Sequence, residues 1–143
     1  MNWNSLKKDH LFLSPVEHIC TKTIFDIREY DKLYENQNDL DHRVWKEFDL
    51  KYKTGFQFYD NLQTINLQKA VIALWFFRER SDIGQSLQIN LAGKIIPFSY
   101  NGFLLTKSKN ITFVEPKRKH IRYPCIQIDI SEEKYKKIIE AIK

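Results

Sequence analysis

The sequence predicts an α+β fold: N-terminal helices, an antiparallel β-meander of five or six strands, and a C-terminal helix packed on the sheet. Three observations predict it. Helix caps followed by apolar residues three and four apart fill the first half. Short apolar or alternating segments joined by tight turns fill the second half. A capped amphipathic stripe closes the chain.

Ser14-Pro15-Val16-Glu17 has the shape of a capping box, with Ser at the cap, Pro at the first helical position and Glu at the third. Asp26-Ile27-Arg28-Glu29 repeats that logic, and Ile27, Tyr30 and Tyr34 then fall on one helical stripe. A third helix begins at Asn38 or Asp39. Its stripe is Leu40, Val44, Trp45, Phe48 and Tyr52, and Thr54-Gly55 stops it. Phe56, Phe58 and Tyr59 lie beyond the stop, either as core strand residues or as a binding surface.

Ala70 to Phe77 is a continuous apolar run with β-branched and aromatic members, as in a strand covered on both faces. Ser81-Asp82-Ile83-Gly84 turns the chain, and Leu87 to Leu91 alternates with period two, as in a strand with one wet face. Ala92-Gly93 is a two-residue turn before a strand over 94–100, where Pro97 demands an edge or a bulge. Asn101-Gly102 tolerates the positive φ of a type I′ turn, so residues 95–100 are expected to pair antiparallel with 103–107. Two more strands follow, over 111–114 and 123–130. Ser131 caps the last helix, whose stripe is Tyr135, Ile138, Ile139 and Ile142.

At 143 residues the chain has the length of one domain, 1–143, with no linker or repeat visible. The longest apolar run, Ala70 to Phe77, is far short of the roughly 20 residues of a membrane span. No apolar signal core opens the chain, and Cys20 and Cys125 form no CxxC. Two reduced thiols in a cytoplasmic protein are expected, with no membrane partner.

Common chemistries lack their motifs. The four glycines build neither GxGxxG nor a P-loop. His10, His18, His42 and His120 give no HExxH and no zinc-finger spacing, so neither metal nor cofactor is expected. His18 and Cys20, two apart on a helix, would point to different sides. No nucleophile elbow flanks either cysteine. Asp39 and Asp41 are similarly separated, so a solvated face explains them better than a catalytic pair. No catalytic residue is assigned, and the chain is read as a non-enzyme.

Charge carries the one positive signal. The net charge is +5. Lys107, Lys109, Lys117, Arg118, Lys119 and Arg122 oppose only Glu115 between 107 and 122, and this stretch carries the whole surplus. Residues 26–49 reverse the sign, with eight acids against four cations. Such a dipole points to a charged partner, although solubilising lysines would give the same pattern. Tyr123 joins the basic segment as an aromatic, which makes nucleic-acid binding the alternative function: cations neutralise phosphates and a Tyr face stacks a base. The same cations suit an acidic protein surface equally well.

Asp26-Ile27-Arg28-Glu29-Tyr30 is similar to an Asp-Ile-x-acid-Tyr stretch that opens a helix in some immunity proteins of bacterial contact-dependent growth inhibition. The aromatic helix with Trp45, the strand with Trp75 and the hairpins after it resemble the same order of parts. The likeness spans roughly residues 24–105. It differs by extra residues between Tyr30 and Trp45 and by the basic net charge. The resemblance implies a small cytosolic protein that binds and blocks a toxin domain. Lys117, Arg118, Lys119, Arg122, Tyr123, Lys107 and Lys109 are the expected partner-binding residues, read from the charge map and not from the resemblance.

Overall fold

The computed structural model describes residues 6–35, 56–59, 67–76, 87–98, 100–113, 125–128 and 130–143. Nine strands are present among them: β1 (Leu11–Phe12), β2 (His18–Thr21), β3 (Phe56–Tyr59), β4 (Val71–Trp75), β5 (Leu87–Leu91), β6 (Lys94–Phe98), β7 (Phe103–Lys107), β8 (Ile111–Phe113) and β9 (Cys125–Ile128). Two α-helices accompany them, α1 (Ile27–Glu35) and α2 (Glu132–Ile142). All strand pairs are antiparallel. Six strands form one sheet in the order β1-β2-β7-β4-β9-β3, and three form a second in the order β6-β5-β8. The α+β class holds, but most neighbours in the larger sheet are distant in sequence.

Side-chain alternation explains the layering. Successive residues of a strand face opposite sides. Val71, Ala73 and Trp75 of β4 point one way, with Ile19, Phe103, Leu105, Ile126 and Ile128, into a core closed by Tyr30 and Leu33 of α1 and Tyr135, Ile138 and Ile139 of α2. Ile72 and Leu74 point the other way, with Leu104 and Cys125, into a second core closed by Ile89, Leu91, Phe98 and Ile111 of the smaller sheet. The larger sheet is therefore the middle of three layers. The continuous apolar run of β4 is what a strand buried on both faces requires.

Local signals held at several elements. Asp26 caps α1 by accepting from the Arg28 N–H at 2.9 Å, and Ser131 caps α2 by accepting from Lys134 N at 3.1 Å. Ala92 and Gly93 both have positive φ, 49° and 94°, and close the two-residue β5–β6 hairpin. Asn90 Oδ1 braces it by accepting from Gly93 N at 2.7 Å. Pro97 lies in the edge strand of the smaller sheet, where its missing N–H costs no ladder bond.

Three expectations are corrected. Ser14 caps no helix: residues 14–16 form a bend, and His18–Thr21 is strand. Pairing with β1 on one side and β7 on the other buries Ile19 completely and satisfies the backbone on both edges, which outweighs a local cap. His18 and Cys20 accordingly share one face of β2. Residues 95–100 do not pair with 103–107. β6 pairs with β5, whereas β7 crosses to the larger sheet and enters between β2 and β4. Phe103, Leu104, Leu105 and Thr106 are all buried, so β7 needs a central position with both faces covered. β6, with Pro97, cannot provide a full ladder beside it. The helix expected over 39–54 and the turn at 81–84 lie outside the described residues.

Asn101 does adopt the expected positive φ, 64°, but its side chain does more than turn the chain. It is 0% exposed. Its Oδ1 accepts from Phe25 N at 3.2 Å and Trp75 Nε1 at 3.3 Å, and its Nδ2 donates to Phe25 O at 2.7 Å. Its backbone N–H donates to Phe76 O at 2.7 Å, and its carbonyl accepts from Ile24 N at 2.9 Å.

Asn101→Ala is expected to destabilise the protein by about 3–4 kcal/mol, from three lost side-chain hydrogen bonds plus an Ala forced into the left-handed region. Asn101→Gly, which removes the backbone penalty, should recover about 1 kcal/mol of that. Urea melts of the two variants check both values. Ala92→Asn should act in the opposite direction, stabilising by about 0.5–1 kcal/mol, because Asn accepts the left-handed turn position that Ala resists. An unchanged or lowered urea midpoint would refute this.

Candidate functional site

Of the seven residues expected to bind a partner, Lys107 and Lys109 are described. Lys117, Arg118, Lys119, Arg122 and Tyr123 lie outside the described residues. Lys107 ends β7 opposite Val71 and is half-buried; Lys109 is exposed in the 3-10 turn Ser108–Asn110. That turn is firmly held. Ser108 N and Oγ both donate to Ala70 O, at 3.0 and 3.3 Å, and Asn110 Nδ2 donates to Thr106 Oγ1 at 3.4 Å. Asn110 O accepts from Ala92 N at 2.9 Å, which ties the β5–β6 hairpin to the end of β7. Lys109 therefore projects from a fixed backbone, and Lys94 at the start of β6 follows the same hairpin.

Two strands over from Thr106, through the register Thr106–His18–Phe12, the larger sheet ends at β1. Here Phe12 is 46% exposed and Leu13 is 68% exposed. β1 has only two residues, too short a ladder to recruit a partner strand, so its side chains are what a partner would meet. The Phe12 ring stacks on His18 with centroids 5.2 Å apart and planes 15° from parallel. His18 fixes that platform. Its Nδ1 lies 2.7 Å from Val16 O, and since a carbonyl only accepts, Nδ1 carries the proton. Burial holds the imidazole below its usual pKa, reinforced by the positive field of Lys94 and opposed by the Val16 bond, so the ring is neutral at pH 7. Lys107, in register with Val71, lies on the opposite, helix-covered face of the larger sheet. The neighbourhood of Phe12 and Lys94, which both act on His18, was not visible in the sequence. The apolar triplet Leu11-Phe12-Leu13 before Ser-Pro was its one local trace.

Ile95, 52% exposed, stands apart on the outer face of the smaller sheet with Gln88, Pro97 and Thr112.

The cysteines are placed as packing groups. Burial pushes the Cys20 thiol up to about 11 and the Cys125 thiol higher still, so both are protonated at neutral pH and neither is an activated nucleophile. Both are free thiols. Among the described residues no three His, Cys, Asp or Glu side chains converge as a metal-ion cluster, and no helix is long and apolar enough to cross a membrane. Compared with known protein families, curated proteins and solved structures, the chain matches none.

The state of His18 predicts a pH dependence. The unfolded imidazole titrates near 6.5, and the folded one lower. The unfolded state therefore binds the proton first, and this contribution to stability, full above about pH 6.5, is lost as pH falls from there toward the folded value. Between about pH 7.5 and 5, the urea midpoint should fall more steeply for the parent than for His18→Asn, which retains a donor toward Val16 O. Equal slopes would remove His18 from the account.

Proposed function

We propose that this protein is a non-enzymatic protein-binding module of the cytoplasm, an immunity protein that occludes a bacterial toxin domain. The observation that carries this proposal is that the exposed apolar anchors Phe12 and Leu13 lie beside Lys94, whose charge acts on the His18 ring under Phe12, at an end of the sandwich where the β5–β6 hairpin is tied to the turn carrying Lys109. Apolar anchors framed by charge are how protein interfaces divide the work. Buried anchors supply affinity, and rim charges steer the encounter. Covering Leu13 and Phe12 would each contribute about 1–2 kcal/mol. The Asp-Ile-Arg-Glu-Tyr stretch adds support, since Asp26 caps α1 and Tyr30 is buried beneath it.

The test is growth rescue and complex formation with toxin domains of bacterial contact-dependent growth inhibition. Leu13→Asp should weaken the complex about tenfold or more, chiefly through the off-rate. Lys94→Ala with Lys109→Ala should instead slow association and flatten its salt dependence. A second titration addresses nucleic acid. Micromolar binding to mixed oligonucleotides at physiological salt, abolished when Lys107, Lys109, Lys117, Arg118, Lys119 and Arg122 become Ala, would overturn the proposal in favour of a nucleic-acid-binding protein.

A further inference from the structure

The chain has nine asparagines, and Asn101 is the one followed by glycine. That dipeptide carries its own chemistry. The Gly nitrogen, unshielded by any side chain, can attack the Asn side-chain carbonyl carbon. A C–N bond forms, the bond to Nδ2 breaks, and Nδ2 leaves as ammonia with its own two hydrogens and the one proton lost by the Gly nitrogen. Water then opens the five-membered succinimide at either carbonyl to give aspartate or isoaspartate. The sum is Asn plus water giving Asp or isoAsp plus ammonia, with no redox change. Asparagine is a thermolabile residue for this reason, and glycine's backbone freedom makes the cyclic geometry easy to reach.

The folded protein opposes each requirement of that reaction. Nucleophile activation needs water or hydroxide, and Asn101 is 0% exposed. Attack needs the carboxamide to rotate onto Gly102 N, but Phe25 O, Phe25 N and Trp75 Nε1 hold it at 2.7, 3.2 and 3.3 Å. The backbone is pinned as well: Asn101 N donates to Phe76 O at 2.7 Å, and Gly102 O accepts from Phe76 N at 2.9 Å. Departure of Nδ2 would break its bond to Phe25 O, the shortest of the three side-chain bonds.

The same contacts decide what the product does. An aspartate at 101 has no Nδ2 donor, so a carboxylate oxygen would face Phe25 O with lone pair against lone pair, in a site that excludes water. An isoaspartate adds a methylene to the backbone where β7 begins and would displace the ladder from Phe103 onward.

We propose that Asn101-Gly102 is a deamidation site gated by folding: inert in the native protein, reactive in the unfolded chain, and barring return once modified. Unfolding thereby becomes irreversible at one residue, and the lifetime of the protein is set by the fraction of time it spends unfolded. This holds whatever the protein binds.

The test compares three incubations of the full chain: native at mildly alkaline pH, in urea at the same pH, and in urea at mildly acidic pH, where the glycine nitrogen is not activated. Peptide-resolved mass spectrometry follows the amide-to-acid change at residue 101. Refolding is then read by circular dichroism and tryptophan fluorescence. Native deamidation should be slower than in alkaline urea by about a thousandfold or more, because the unfolded fraction is about 10⁻³ or less. Refolding yield should fall in step with modification in alkaline urea and stay full after acidic urea, and the refolded pool should hold unmodified Asn101. Equal native and unfolded rates, no modification at 101 in alkaline urea, or refolded protein carrying modified residue 101 would each overturn the proposal. Asn101→Asp gives an independent check: it should fail to fold in the absence of urea. A cooperative urea transition for this variant would also overturn the proposal.

Discussion

Among the described residues, the arrangement of the other parts turns on the Asn101 carboxamide. It lies where three pieces of chain meet: the Ile24–Phe25 segment leading into α1, the end of β4 at Trp75, and the entry to β7. An apolar side chain there could fill space but could not select a register. The amide selects one, because its donor and its acceptor each have an assigned partner, and a buried polar group without partners is costly. Aromatic packing gathers around this point. Phe25 lies 4.8 Å from Trp75, Tyr30 meets Trp75 edge-on at 6.3 Å, and Tyr100 lies 5.7 Å from Tyr30. The position of α1 over the larger sheet thus follows from one hydrogen-bonded amide and the tilted and edge-on rings packed beside it.

A second, smaller tie acts at the other end of β7. Thr106 Oγ1 donates to Glu17 O at 3.0 Å, and Tyr135 Oη donates to Glu17 Oε1 at 2.9 Å. Burial, then the Glu17 bond and its charge, hold the tyrosine hydroxyl firmly protonated, so it remains the donor. Glu17 thereby joins α2, the β1–β2 connection and β7. The connection it holds leads from Leu13 to His18. The exposed apolar anchors are accordingly carried on a braced piece of chain, which lowers the entropy lost when a partner covers them.

The charge map acquires a different meaning in three dimensions. In sequence, Lys107 and Lys109 are the leading end of a basic run reaching Arg122. In the fold they sit before β8, on the end of the sandwich shared with the β5–β6 hairpin and Lys94. Lys94 is thirteen residues upstream of Lys107 and entered no sequence pattern, yet its charge is felt by His18. A long-range electrostatic field follows from where backbones are brought together, and linear charge runs capture only part of it.

Amino-acid order alone determined what depends on a few neighbouring residues. The caps at Asp26 and Ser131, the Ala92-Gly93 hairpin, the restriction of Pro97 to an edge or a bulge and the double-sided burial of β4 each rest on φ preferences, side-chain periodicity or a hydrogen bond reaching at most three residues. Strand partners were decided only by the tertiary structure. β7 could complete a hairpin with β6 at little loop cost, yet it lies between β2 and β4, because four successive buried side chains need cover on both faces. For the same reason Ser14-Pro15-Val16-Glu17 precedes a strand and not a helix: the competing interactions come from Leu11–Phe12 and from β7, the latter some 85 residues away, beyond the reach of a local pattern. The candidate surface belongs to that second kind. Phe12 comes from β1 and Lys94 from β6, and they meet at His18 only once the smaller sheet has closed on the larger one.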